Sequence, residues 1–133
     1  MDNAGVYVLA SLQIVAAKSG ALLTPIVDLD GMGAVTLDAD FKYGSGGATC
    51  SAIVVTSLDG GSTWRQVARF DFGTASAVKT ANVSGLASKA VDAYADLASE
   101  GVNDGLLGDQ LAVLLQSTGI YADTVLSVRA AVR

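Results

Sequence analysis

Apolar and polar residues alternate strictly along Val35-Thr36-Leu37-Asp38-Ala39-Asp40-Phe41-Lys42. A period of two belongs to a strand with one buried and one solvated face. The pattern sends Val35, Leu37, Ala39 and Phe41 toward a core, and Thr36, Asp38, Asp40 and Lys42 outward. Gly44-Ser45-Gly46-Gly47 then reverses the chain. Residues 50–57 read as the next strand, with β-branched Ile53, Val54, Val55 and Thr56 at its centre. Asp59-Gly60-Gly61-Ser62 is a second reversal, rich in residues that tolerate positive φ. Residues 64–72 form a third strand. Trp64, Gln66, Ala68, Phe70 and Phe72 line one face, and Arg65, Val67, Arg69 and Asp71 the other. Val35 to Phe72 therefore reads as three consecutive antiparallel strands, a meander.

The flanking segments carry weaker signals. Val6 to Val15 is apolar, and its opening Val and Tyr favour a strand; Lys18-Ser19-Gly20 breaks it. Leu22 to Leu29 is extended, with Pro25 suited to an edge or a strand start. Asp28-Leu29-Asp30-Gly31 turns the chain into the meander, and Gly73-Thr74-Ala75 turns it out again toward a strand at Ala77 to Val83. Ala87 to Leu97 is ambiguous, because Ala90, Val91, Tyr94 and Leu97 also fit helical spacing. Glu100 to Gly108 is a loop. Residues 109–116 and 124–132 are strands separated by Ser117-Thr118-Gly119. Seven to eight strands with regular turn signals predict an all-β, antiparallel β-sandwich of jelly-roll-like form. Residues 1–133 make one domain, without internal repeat or low-complexity linker.

Composition agrees. Twelve Asp stand against a single Glu, and fifteen Gly against one Pro, the balance of a turn-rich β protein. The net charge of −5 leaves nothing to attract a phosphate backbone, so no direct nucleic-acid contact is expected. No stretch approaches a membrane helix, so no membrane partner is expected either. Asp2 stands where a signal peptide needs positive charge. Cys50 is the only cysteine, which forbids an internal disulfide and fits maturation in a reducing cytoplasm.

Chemistry is scarce. The chain has no histidine. That removes the commonest general base, the Ser-His-Asp and Cys-His systems and the usual zinc sites. Cys50 reads as a small buried side chain on a central strand. Asp28, Asp30, Asp38, Asp40, Asp59 and Asp104 are candidate calcium ligands by residue type, but no stretch matches an EF-hand loop with its closing Glu. They read as turn caps and solvated faces. One Glu among turn aspartates leaves no opposed carboxylate pair for glycoside hydrolysis. Trp64, Tyr43, Tyr94 and Tyr121 offer a possible sugar-stacking platform, although Trp64 reads first as a core anchor for its strand. No catalytic, cofactor or metal residue is assigned, and the chain is not expected to be an enzyme.

One resemblance remains. VDLDGMGAVTLDADF followed by SAIVVTSLDGGSTWRQVARFDF resembles small structural proteins of tailed bacteriophages. The matching residues are Leu29 to Gly31, Val35 to Phe41 and Ser57 to Trp64. The closing TGIYADTVLSVRAAVR resembles the last hairpin of such proteins. The resemblance implies a β-sandwich virion protein in a head-decoration, head-spike, connector or tail position, made in the host cytoplasm and contacting capsid, neck or tail proteins. Mean hydropathy is high for a small soluble chain, which favours burial of apolar surface between copies. A homo-oligomer is expected, closed as a ring or trimer. Residues 1–20 are expected to be its apolar assembly segment, dispensable for folding when residues 1–17 are deleted. The alternative is a carbohydrate- or receptor-binding accessory sandwich.

Overall fold

The computed structural model describes residues 4–133, so Asp2 lies outside it. Eleven strands run in chain order: β1 (Gly5–Gln13), β2 (Lys18–Leu22), β3 (Ala34–Lys42), β4 (Ser45–Gly46), β5 (Thr49–Ser57), β6 (Arg65–Phe72), β7 (Ala77–Ser84), β8 (Gly101–Val102), β9 (Gln110–Thr118), β10 (Tyr121–Ala122) and β11 (Val125–Val132). No helix occurs among the described residues. One sheet has the order β1-β11-β3-β7 and the other β2-β9-β5-β6-β8, while β10 and β4 form a small ladder. Three strands are two-residue pieces; the eight longer ones, renumbered in chain order, give sheets 1-8-3-6 and 2-7-4-5. This is the jelly-roll arrangement, an antiparallel sandwich of two Greek keys.

The core fills the space between the sheets. Leu37, Ala39 and Phe41 of β3 and Leu126, Val128 and Ala130 of β11 meet Cys50, Ala52 and Val54 of β5 and Leu111, Val113 and Leu115 of β9. Phe41 and Phe72 stack across the sandwich, ring centroids 4.8 Å apart. The alternation in β3 comes out as read. Val35, Leu37, Ala39 and Phe41 are buried, Thr36 and Lys42 are exposed, and Asp38 and Asp40 lie half-buried on the outer face.

The meander does not form as read. β3 is flanked by β11 and β7, not by β5. Residues 44–47 carry the chain across to the opposite sheet, and only β5–β6 is a hairpin. The glycines serve close approach rather than a hairpin turn. A Cβ on Gly44 would strike the Ala122 carbonyl, and one on Gly47 would enter the Tyr121 ring. Likewise β9 and β11 belong to different sheets, so the closing segment is a crossover whose Tyr121 and Ala122 pair with Gly46 and Ser45.

The faces assigned to 64–72 also change. Val54 pairs with Ala68 and Val55 with Gln66, leaving Val67 as the extra residue of a β-bulge. A bulge shifts the period-two alternation by one residue. Val67, Ala68, Phe70 and Phe72 consequently enter the core. Trp64 packs half-buried on Ile53, Val55 and Ala112, a separate cluster on the outer face. It is not the core anchor expected, and its truncation should cost less than the roughly 3–5 kcal/mol of a buried aromatic.

The N-terminal segment is built into the sandwich. β1 pairs with β11 from Gly5↔Val132 to Gln13↔Val125. Leu9, Ala10 and Ile14 are buried in the core. The expectation that residues 1–17 are dispensable for folding is corrected, because deletion would strip an edge strand and these side chains. Lys18-Ser19-Gly20 is not a break but the start of β2, with Gly20 at φ 76° where the register shifts. Residues 87–97 form neither helix nor strand, and their apolar Ala90 and Val91 are exposed rather than gathered on a buried stripe.

Candidate functional site

β6 has β8 beside it only at Ala68↔Val102 and Arg69↔Gly101. An uncovered edge strand invites pairing with other chains. Here residues 94–103 form a strap along it and satisfy its backbone mainly with side chains. The Tyr94 hydroxyl accepts the Gln66 N–H at 2.7 Å, and the Glu100 carboxylate accepts the Asp71 N–H at 3.1 Å. The Asn103 N–H donates to the Val67 carbonyl at 2.8 Å. In return Gln66 Oε1 accepts the Leu97 N–H at 2.9 Å, and Arg69 Nη1 donates to the Leu97 carbonyl at 2.8 Å. Lys79 of β7 donates to the Asp71 carbonyl and to Glu100, tying the two sheets together on this side. Burial pushes the Asp71 carboxyl up, but the Arg69 and Ser51 hydrogen bonds and the charges of Arg69 and Lys79 outweigh it and hold it below its ordinary value.

A depression of about 480 Å³ opens between the strap and the start of β6, lined by Arg65, Lys89, Val91, Tyr94, Asn103 and Leu106 among others. The Arg65 guanidinium lies 4.9 Å from the centre of the Tyr94 ring. Lys89 Nζ donates to Asn103 Oδ1 at 2.6 Å, and the Tyr94 hydroxyl donates to Asp96 at 2.8 Å. Burial pushes the Tyr94 phenol up. These groups offer cationic donors, one ring and an apolar wall.

β1 has β11 on one side and no described strand on the other. Residues 4–17 contain no charged side chain. Val6 and Val8 are 70% and 51% exposed. A shallow apolar depression of about 380 Å³ runs beside them, lined by Val8, Leu9, Leu12, Leu23 and Ile26 among others.

The residues singled out from sequence are dispersed. Cys50 is buried in the core, and burial pushes its thiol up to about 11. Asp38 and Asp40 sit on the outer face of β3, facing Arg129 and Ser127 of β11. Asp28 and Asp30 belong to the turn before β3. Asp59 caps the β5–β6 turn, and Asp104 accepts the Ser84 N–H at 2.8 Å. Among the described residues no three Cys, Asp or Glu side chains gather closely enough to hold a metal. The four aromatics do not make one platform. Tyr121 is buried edge-on to Phe41 and Tyr43, Trp64 lies on the outer cluster, and Tyr94 lies on the strap. Sequence reasoning passed over Gln66, Arg69, Glu100 and Asn103, which build the strap. The one available signal was the lone Glu of the chain, which pairs with Lys79. Comparison with protein-family models, with curated proteins and with solved structures found no match to this chain.

Proposed function

We propose that this chain is a structural subunit of a tailed-phage or phage-like virion, assembling as a homo-oligomer on the head or at the head–tail region. The observation that carries the reading is the strand order, β1-β11-β3-β7 against β2-β9-β5-β6-β8. That jelly-roll order is a recurrent architecture of viral capsid domains, and the argument from it is one of analogy. The resemblance of residues 29–64 to small phage structural proteins points the same way. So does the exposure of Val6 and Val8 on β1, which has no described strand beyond it. The chain acts by presenting surfaces. The sandwich supplies rigidity, and the strap guards one edge. Its partners in this reading are further copies of itself and the capsid, neck or tail proteins of the particle, with neither nucleic acid nor membrane in direct contact, and it is no enzyme. It is made in the cytoplasm of the bacterial host and ends in the virion.

The test is proteomic. Particles purified from the producing bacterium on a density gradient are analysed by quantitative mass spectrometry. The chain is expected to co-sediment with the major capsid protein in a fixed multi-copy ratio. Recovery only in the soluble fraction, with none on particles, overturns the reading.

A further inference from the structure

We propose that the depression between the strap and the start of β6 binds an acidic sugar, a hexuronate unit, whose carboxylate is held by Arg65 and Lys89. The site does not depend on assembly of the chain. Hydrogen-bond capacity selects the ligand. The polar groups of the strap are already used. The Tyr94 hydroxyl accepts from the Gln66 N–H and donates to Asp96. Asn103 Oδ1 accepts from Lys89, and Asn103 Nδ2 donates to the Gln66 carbonyl at 3.3 Å. The cationic donors are not used up. An ammonium has three N–H groups, and Lys89 spends one on Asn103. A guanidinium has five, and the hydrogen bond Arg65 makes among the described residues is a long one, 3.4 Å to the adjacent Trp64 carbonyl. Arg69 and Lys79 have carboxylate partners in Asp71 and Glu100; among the described residues Arg65 and Lys89 have none. Two cations with spare donors call for an oxyanion, and the fork of Arg65 suits a carboxylate. The Tyr94 ring beside the guanidinium keeps that fork in place.

The rest of the lining narrows the anion to a sugar acid. Asp92 lines the same depression, and the hydrogen bond its carboxylate makes among the described residues is with the adjacent Ala93 N–H. A carboxylate so near the cations repels a doubly charged phosphate more than a single carboxylate, and it accepts sugar hydroxyls. Val91 and Leu106 give an apolar wall for the C–H face of a pyranose ring. The volume of about 480 Å³ falls within the range of small-molecule sites, roughly 300–1,000 Å³. A peptide is disfavoured, because the strap already occupies the β6 edge on which an extended chain would pair. The net charge of −5 exerts no long-range pull on a polyanion, so recognition is local, one acidic unit at a time. A single such contact is expected to be weak, and repetition of the site over many copies would strengthen attachment.

The test is a titration of isotope-labelled full-length protein followed by two-dimensional NMR. Sodium glucuronate is the probe. Glucose, sodium acetate, inorganic phosphate and a blocked triglutamate peptide are the comparisons. Glucuronate is expected to shift the amides of Arg65, Lys89 and Asn103 saturably, and each comparison to bind at least about tenfold more weakly. Arg65→Gln and Lys89→Gln are expected to weaken glucuronate by roughly tenfold or more, and Lys42→Gln on the other sheet to leave it unchanged. The spectrum of each variant checks that it is folded. Asp92→Ala is expected to weaken glucuronate and to spare acetate. Acetate, phosphate or peptide binding as tightly as glucuronate overturns the sugar assignment. Absence of a saturable shift at Arg65, Lys89 and Asn103 overturns the site, and leaves the assembly reading, which is measured by mass, standing.

Discussion

At the residue scale, the glycines and the turn aspartate carry more of the fold than their size suggests. Gly47 has φ 68° and lies against the Tyr121 ring, whose hydroxyl donates to the Gly73 carbonyl at 2.9 Å. Gly47→Ala adds both backbone strain and a methyl group in occupied space. It is expected to cost about 2–4 kcal/mol in chemical denaturation. Asp59 is held by the Thr63 hydroxyl at 2.6 Å, the Thr63 N–H at 2.9 Å and the Ser57 hydroxyl at 2.9 Å. These bonds lower its carboxyl to about 2. Its ordinary value is about 3.9, so the unfolded chain takes the proton first on acidification. Its contribution is therefore present above about pH 4 and is lost as pH falls toward 2. The melting temperatures of wild type and Asp59→Asn are expected to differ at pH 6 and to converge near pH 2. A constant gap across that range contradicts the assignment. Both positions stood out in the sequence as turns. What was not legible is that Gly44 to Gly47 serve a close approach to residues 120–123, a contact made across more than seventy positions of chain.

At the scale of elements, the period-two pattern located the long strands but could not choose their neighbours. β3 alternates cleanly because one of its faces is buried, and that holds whichever strands lie beside it. Pairing is decided by the crossing of the chain between sheets, which leaves no mark on periodicity. The Val67 bulge was hidden for a related reason, since one extra residue in β6 only moves Trp64 and Gln66 to the other face. The strap was illegible because its work is done by polar side chains without a repeating spacing. Its importance can be measured. Arg69→Ala removes the bonds to Asp71 and to the Leu97 carbonyl. Amide exchange is expected to accelerate at Gln66, Asp71 and Leu97 while the core of β9 stays protected. Unchanged exchange at those amides contradicts the strap. β1 gives the opposite case. Deleting residues 1–17 removes the partner of β11 together with Leu9 and Ile14. The truncated chain is expected to lose its cooperative thermal transition, whereas a folded, stable truncation would return the segment to a purely external role.

At the scale of the whole molecule, the sandwich is finished inside and unfinished outside. Its core is continuous between the sheets, and one side is closed by Lys79, Glu100 and the strap. On the other side residues 4–17 carry no charge, and β1 has no described strand beyond it. Val6 and Val8 are exposed apolar side chains on this side. A closed homo-oligomer, ring or trimer, remains the proposed unit of assembly. The central claim is that this chain works as an assembled subunit. The most direct check is the mass of the purified full-length protein in solution, by sedimentation velocity across a wide concentration range. The expected result is a discrete, concentration-dependent species at a multiple of the 13.4 kDa chain. A single 13.4 kDa species at every concentration would contradict the account.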